Sequence, residues 1–528
     1  MISKTLLTSF LILLCIESNG QEVVIGRCWS DYGIAMTLSP DGSKFVISNT
    51  SSYLPSLQKS VILSKLDSND QHVWSNLIFN PVQDHKNEVI ARDISIIDDG
   101  LLICGTFGRK TLIIKTNLSG KVEWTKTYFN GRSTSIGTNS DDEIILVGVR
   151  QETISSKRFG FVMKLDALGK PIWEREYYQG DTHIGHLAIS ENNQITLSGQ
   201  VVITTDRNTL TKPFLAKIDN AGNYIWDKVY TNTPKDDFSM GAGGVLNLST
   251  DSRIVCSGGI RYGSSTVSVL LKVDDTNGQI IWSKFYDFSG GITSDFVVNS
   301  DEFVLGGYAT FKDTSASTGT DIVVIKTNLD GTIKSSKAYG TIGEDGVNGL
   351  ESDGEKLYLV GSTKDYFGVK VSATQSDSYV FSIDSKGNSS TSRKHTNFVE
   401  EIPFSPFYPR SEWLAHDSIS ASPNSEILLD SVIHGLLDSS FCAPISIPKS
   451  LDQNSTQIYP NPCSGTLYIE NINEEADIFI YNIRGQVVWR ATTYSEKTTV
   501  NLSEFKSGLY YVSVKTDKLV SNTTIVLD

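Results

Sequence analysis

The sequence predicts an all-β protein, a seven- or eight-bladed β-propeller followed by a small C-terminal β-sandwich. Three observations carry that expectation. A short motif recurs every roughly 50 residues, the interval of propeller blades and kelch-like arrays. Each copy reads as four short strands with turn residues between them. Beyond residue 446 the motif stops, and a differently patterned segment closes the chain.

The motif is Lys115, Asn117, Gly120 and Trp124, repeated as Lys164, Asp166, Gly169 and Trp173. It returns as Lys217, Asp219, Gly222 and Trp226, and as Lys272, Asp274, Gly278 and Trp282. Weaker copies hold Lys65, Asp67 and Trp74, then Lys326, Asn328 and Gly331, then Asp384 and Gly387. Asn or Asp bonds its own backbone in a tight hairpin, and Gly takes the positive φ that a following bulge needs. Around it, Ile94–Ile97 reads as an inner strand and Leu101–Gly105 as a strand covered on both faces. Thr111–Lys115 is the third strand and Val122–Tyr128 an alternating outer one. The Trp of that strand is followed four residues later by Tyr128, Tyr177, Tyr230 or Tyr286, on the same face. So large an apolar face is expected to pack on the neighbouring blade. Trp74, Trp124, Trp173, Trp226 and Trp282 are therefore read as structural repeat residues. The repeated Lys and Asp are read the same way, because a catalytic group is needed once and a packing group in every blade.

Seven units fall between Gly33 and Lys394. A partial eighth is expected at Ser418–Leu429, which resembles Met36–Ile47 but lacks the hairpin and the Trp. The N-terminal strand Glu22–Ile25 is expected to fasten the first and last blades. Residues 1–20 read as a signal peptide, with Lys4, an apolar run from Leu6 to Ile16, and small residues before Gln21. The propeller spans 21–446, a linker 447–456 and the last module 457–528. No later stretch has the length of a membrane span.

The net charge of −14 excludes nucleic acid as an expected partner, since phosphate binding needs a basic surface. Five cysteines follow the leader: Cys28, Cys104, Cys256, Cys442 and Cys463. Cys104 and Cys256 read as equivalent buried strand residues. Cys28 and Cys442 flank the repeat region, where a bridge between them is a hypothesis.

The closing module orders Tyr459, Pro460, Asn461 and Pro462, then Tyr481, Asn482 and Gly485, then Gly508 and Tyr510. That order resembles the type A C-terminal sorting domain of type IX secretion substrates in Bacteroidetes-type bacteria. The resemblance implies transport across the outer membrane by the type IX machinery, with the cargo released or held at the surface. The acidic ending at Asp528 departs from members that finish on a basic residue.

No catalytic, cofactor or metal motif is legible: no nucleophile elbow, zinc helix, phosphate loop or CxxC pair. His183 and His186 lack a third ligand, and the acidic turn 140–143 lacks the alternation of a calcium loop. Loops at one mouth of the channel remain as the place for a glycan or protein ligand: 178–182, 235–240, 288–292, 340–345 and the aromatic stretch 398–413, read as a rim or a plug. The expectation is an exported, non-catalytic binding or adhesion protein. A polysaccharide-acting propeller hydrolase or lyase and a structural surface component stay open.

Overall fold

A computed structural model describes residues 22–25, 31–51, 59–80, 88–151, 153, 157–177, 181–204, 209–231, 245–248, 253–262, 265–287, 292–299, 301–312, 318–339, 344–363, 376–387, 400–401, 408–410, 415–417, 425–426, 430–434, 457–459, 463, 465–470, 476–482, 487–493, 495, 497–503, 505–506, 508–516 and 520–527. The chain divides into two units, Met1–Leu437 and Asp438–Asp528.

The first unit is a ring of seven four-stranded antiparallel blades among the described residues. Blade 1 spans 31–79, blade 2 89–130, blade 3 131–177, blade 4 181–231, blade 5 245–287, blade 6 292–339 and blade 7 345–384. One continuous strand, Val122–Thr138, is the outer strand of blade 2 and the inner strand of blade 3. The inner strand of each blade touches its neighbours, and blade 7 touches blade 1, so the circle is closed. Blade 7 takes its fourth strand from the N-terminus: Glu22–Ile25 pairs antiparallel with Ser378–Phe381.

The repeated motif explains how one blade grips the next. In the blade 3 hairpin, Asp166 Oδ1 accepts the backbone N–H groups of Leu168 and Lys170. Gly169 follows at φ 73°. The blade before it lays an aromatic face on that hairpin. Tyr128 Oη donates to the Gly169 carbonyl at 2.6 Å. The pattern recurs as Tyr230 to Gly278 at 3.0 Å, Tyr286 to Gly331 at 2.6 Å and Tyr339 to Gly387 at 3.1 Å. These phenols are fully buried. The indoles lie beside them: Trp173 Nε1 donates to the Asn220 carbonyl at 3.2 Å and Trp226 Nε1 to that of Asp275 at 2.7 Å. A Cβ on Gly278 would stand 2.7 Å from the Trp226 ring. Glycine is therefore required twice over, for its conformation and for the indole above it.

The basic residue two before the Tyr shares that face and completes the grip. Arg175 Nε donates to the Gly222 carbonyl at 3.1 Å, and Lys337 Nζ to that of Gly387 at 2.9 Å. The repeated Lys at the end of the third strand also reaches the next hairpin. Lys164 bonds Asn220, Lys217 bonds Asp275 and Lys326 bonds the Ser385 carbonyl.

The seam between blades 7 and 1 is built differently. Glu22–Ile25 brings neither indole nor phenol, and the blade 1 hairpin holds Asp70 where the others hold Gly. Asp70 keeps the positive φ, 64°, and its buried carboxylate pairs with Lys44 at 2.5 Å and Lys356 of blade 7 at 3.4 Å. An ion pair thus replaces the aromatic clamp where the ring closes.

Two expectations are corrected. Among the described residues no eighth blade forms, and 400–401 and 408–410, the described parts of 398–413, lie on outer blade edges rather than at the channel. The described part of this segment runs around the outside of the ring as a series of fifth strands. Glu400–Glu401 pairs with blade 5, Tyr408–Arg410 with blade 4 and Ala415–Asp417 with blade 3. Ser425–Glu426 pairs with blade 2 and Asp430–His434 with blade 1. The physical reason is the missing grammar: without the hairpin and the Trp, nothing in 418–429 can be gripped by a neighbour. What it offers is backbone, which satisfies open sheet edges.

The cysteines also shift. Cys104 lies two residues past Leu102, the strand partner of Lys115, whereas Cys256 lies one past Val255, the partner of Lys272. They are one residue out of step and so not equivalent. Cys104 and Cys463 are buried free thiols; the hypothetical pair Cys28 and Cys442 lies outside the described residues.

In the second unit, Gln457–Tyr459, Thr466–Glu470 and Lys497–Asn501 form a three-stranded sheet, and Ala476–Asn482, Val487–Thr493, Gly508–Thr516 and Val520–Leu527 a four-stranded one. Leu467, Ile469 and Val500 of the first sheet join Ile478, Ile480, Val512 and Val514 of the second in one buried core.

Candidate functional site

Function is sought where the blades stop being alike. Every inner strand described through its middle carries a register shift opposite its partner: Ala91/Asp93 in blade 2, Ile184/His186 in blade 4, Thr293/Asp295 in blade 6 and Val347/Gly349 in blade 7. The second strand answers with Gly105, Gly199, Gly306 and Gly361, where any Cβ would collide with the bulge or its neighbour. The side chains on these inner strands differ from blade to blade, and the charged ones sort into two groups.

The first group is acidic. Asp93 Oδ2 accepts from Ser135 Oγ at 2.8 Å and from the Ile136 N–H at 3.0 Å, both in blade 3. Asp295 Oδ2 accepts the Leu350 N–H of blade 7 at 3.0 Å. Each carboxylate latches the next inner strand. Burial pushes Asp93 up to about 6 and Asp295 up to about 7, outweighing the hydrogen bonds that pull them down. Glu351, also on the blade 7 inner strand, is pushed up to about 8 by burial and then by the charges of Asp295 and Asp93. Unlike those of the two aspartates, its carboxyl makes no hydrogen bond among the described residues, and near neutral pH it carries a proton.

The second group is basic and lies toward the end where the inner strands begin. Arg92 sits on the bulge of blade 2, Arg132 near the start of the blade 3 inner strand, Arg158 ahead of the third strand of blade 3, and His183 on the inner strand of blade 4. The three arginines are exposed and His183 is half-buried. Arg132 Nη2 lies 3.4 Å from His183 Nδ1, and Arg158 Nη1 lies 3.3 Å from His183 Nε2. Burial, followed by the charges of Arg132 and Arg158, pushes His183 down to about 4, so the imidazole is neutral at pH 7. Partial burial, then the like charges of Arg92 and Arg158, also lower Arg132 from its ordinary value. Arg150 of the same blade, by contrast, is paired with Glu174 and Glu176.

Among the described residues no His, Cys, Asp and Glu cluster could hold a metal. His183 faces two guanidinium groups, a poor place for a cation, and His186 stands across the bulge from it. In the acidic turn 140–143, Asn139 Oδ1 caps the N–H groups of Asp141 and Glu143, while the Glu143 carboxylate is taken up by Lys164 and Asn139. Of the mouth loops named from sequence, Asp181, Thr182, Ile292, Glu344 and Asp345 are described, as are 400–401 and 408–410, which stand on outer blade edges. Periodicity could not mark Arg92, Arg132, Arg158 or Glu351, because they are what the repeat does not repeat; Asp93 and Asp295 occupy matching bulge positions in blades 2 and 6 only, a recurrence too sparse to stand out. The Lys or Arg between each Trp and Tyr was visible as a recurrence.

In the second unit, Tyr459 stacks near Tyr468 with ring centroids 5.6 Å apart, and Lys497 lies over both rings while pairing with Glu470. Tyr510 Oη donates to the Lys506 carbonyl at 2.7 Å, and its ring meets Phe505 edge-on. Tyr481 pairs in register with Tyr511 and Asn482 with Tyr510, while Gly508 opens the strand that carries them. Pro460, Asn461, Pro462 and Gly485 lie outside the described residues.

Residues 457–528 match the family of secretion system C-terminal sorting domains. This module is a type IX sorting domain. It engages the secretion machinery, and the protein that carries it is exported, to be secreted or displayed at the cell surface. No helix among the described residues is long and apolar enough to cross a membrane.

No protein of curated function matches the sequence significantly. Among solved structures, the chain is similar to a subtype N10 neuraminidase-like protein of an A/little yellow-shouldered bat/Guatemala strain, at 11% identity over 56% of this chain and 95% of that one, with TM-score 0.31. It is similar to a Synechocystis apocarotenoid oxygenase at 10% identity over 75% and 95%, TM-score 0.38. A Cellvibrio cellulosa α-L-arabinanase complexed with arabinohexaose matches at 12% identity over 48% and 93%, TM-score 0.26. Likenesses this distant carry no ligand or reaction to this chain, and the fold rests on the strand pairing above.

Proposed function

We propose that the propeller is a binding or adhesion module of the cell exterior, whose ligand meets the channel mouth where Arg92, Arg132, Arg158 and His183 gather. The observation that supports this reading is the contrast within the ring. Lys, Asp, Trp and Tyr recur in blade after blade and are consumed in gripping neighbours, whereas the mouth residues occur once and are left facing outward. Rigid scaffolds place specificity at such positions. Delivery proceeds through a signal peptide at 1–20 and the sorting module at 457–528, whose two sheets act as a small sandwich behind the 447–456 linker.

One observation favours a second reading, a hydrolase or lyase acting on extracellular polysaccharide. Glu351 keeps a proton near neutral pH, as a general acid must. Asp93 and Asp295 weaken that reading, because both spend their carboxylates on backbone N–H groups of neighbouring blades. A glycan array run beside a polysaccharide-degradation screen tests the pair. Retained ligand without product supports binding alone; product that disappears in Glu351→Gln overturns it.

A further inference from the structure

We propose that the exposed guanidinium groups of Arg92, Arg132 and Arg158, spaced by the His183 ring, bind an acidic polysaccharide through its carboxylate or sulfate groups. The inference deepens the reading of the mouth as a binding surface and rests on it.

The charge accounting leads there. The chain carries 60 acidic and 46 basic side chains, so a guanidinium has carboxylates in excess to pair with. Arg150 finds two, Lys44 and Lys356 share Asp70, and Lys115 takes Asp99 and Glu123. Arg92, Arg132 and Arg158 have no ion pair with a carboxylate among the described residues. The nearby carboxylate of Asp181 accepts the Arg158 N–H through Oδ1 at 3.0 Å and makes no ion pair with a guanidinium, so one negative charge stands near three positive ones. Holding like charges together with too few counterions costs free energy, which a bound anion recovers.

Spacing selects the kind of anion. His183 stands between two arginines, one on each ring nitrogen, so their guanidinium groups do not converge on a single small oxyanion. Because the imidazole stays neutral, it separates the charges without adding one. Three cations contributed by two adjacent blades gather with His183 from a third, Arg132 lying within electrostatic reach of both other arginines. A chain with an acid group on successive residues satisfies several at once, each through the paired N–H geometry guanidinium offers to carboxylate and sulfate. Nucleic acid fits less well: duplex binders make about 6–10 phosphate contacts, more than this group provides, and the rest of a net −14 chain repels the strand. Export places the rim where extracellular polysaccharide is met.

The test uses the full secreted chain and fluorescein-labelled polygalacturonate and chondroitin sulfate, with neutral dextran and single-stranded DNA as controls. Anisotropy titrations compare the parent with Arg132→Gln/Arg158→Gln and with Lys121→Gln, an equally exposed charge on the blade 2 hairpin. The expected result is at least a tenfold loss of acidic-polysaccharide affinity in the arginine variant only, with binding that weakens as salt rises. Circular dichroism and melting of the variant establish that it folds, and Arg132→Lys/Arg158→Lys, which keeps the charges, recovers part of the loss. An equal loss in Lys121→Gln, or none in the arginine variant, overturns the proposal. Dextran binding indifferent to the arginines overturns it while leaving the mouth a binding surface; no polysaccharide binding overturns both. Arginine-dependent DNA binding tighter than polysaccharide binding overturns the ligand class.

Discussion

Replacing Trp226 with Ala is the most direct perturbation of the ring. The indole is 4% exposed, its N–H is bonded to the Asp275 carbonyl at 2.7 Å, and its face covers Gly278 of the next blade. Truncating a buried aromatic to Ala costs about 3–5 kcal/mol. The lost hydrogen bond adds about 1 kcal/mol at most, because Lys217 Nζ also approaches that carbonyl, at 3.5 Å. A total near 4 kcal/mol lowers the folded-to-unfolded ratio by about a thousandfold. Equilibrium denaturation in guanidinium, followed by tryptophan fluorescence and far-ultraviolet dichroism, measures it.

The decisive version is a double-mutant cycle with Gly278→Ala. Alone, that change imposes a side chain at φ 69° and drives a Cβ to 2.7 Å from the indole. Strain costs about 1–2 kcal/mol and overpacking about 1–3 kcal/mol. Once the indole is gone the overpacking term falls, so the double variant should be more stable than the sum of singles by about 1–2 kcal/mol. Additivity within about 0.5 kcal/mol, the behaviour of separated sites, would refute the claim that this indole holds this hairpin.

Four further outcomes are expected. Tyr286→Phe, which leaves the Gly331 carbonyl without its phenol donor, should cost about 1–3 kcal/mol by the same assay. Asp70→Gly relieves a positive φ but strands the buried Lys44 ammonium, so it should destabilise by about 3–5 kcal/mol, whereas Asp142→Gly, at an exposed turn with φ 58°, should be neutral or stabilising. Thermal stability should fall as pH rises from 6.5 to 8.5. Asp295 and Glu351 have folded values raised to about 7 and about 8, so the stability they contribute is complete only below the ordinary carboxyl values and is lost as pH rises up to and through the folded ones, Glu351 supplying most of the fall above 6.5; Glu351→Gln should flatten the curve there. His183 acts in the opposite sense. Its folded value, about 4, lies below the unfolded one, so its contribution is lost as pH falls from about 6.5 toward 4, outside that window. Deleting Glu22–Ile25 should destabilise the ring and expose the edge of Asp377–Asp384, read as aggregation at a lower temperature.

Whatever recurs in the sequence is legible from the sequence itself. Asn117, Asp166, Asp219 and Asp274 announced hairpins, and Trp four residues ahead of Tyr announced a face that needed a neighbour. Those are local or nearest-neighbour relations, repeated often enough to stand out from chance. Ring closure was harder. That Glu22–Ile25 would fasten the ring followed from counting strands, but which blade lacked one depended on whether 418–429 was a blade. Ser418–Leu429 shares the apolar alternation of Met36–Ile47, and alternation also suits an edge strand, so pattern alone could not separate the two. The absent hairpin and Trp were the stronger signal, since a blade is defined here by what its neighbour can hold.

The mouth was illegible for the reason that makes it interesting. A repeat array solves one packing problem many times, so selection for stability writes periodic residues, while a ligand contacts one sector and needs residues that occur once. Arg92, Arg132 and His183 come from the inner strands of three successive blades and Arg158 from just ahead of the third strand of one of them, separated by up to about ninety residues of otherwise regular sequence. Only the packing of blade on blade brings them within electrostatic reach of one another. The same geometry sets Asp93, Asp295 and Glu351 against each other around the channel, with Asp93 and Asp295 fastened to the blades beside them. Asp93 and Asp295 thus hold inner strands in place, while Arg92, Arg132 and Arg158 face what lies outside.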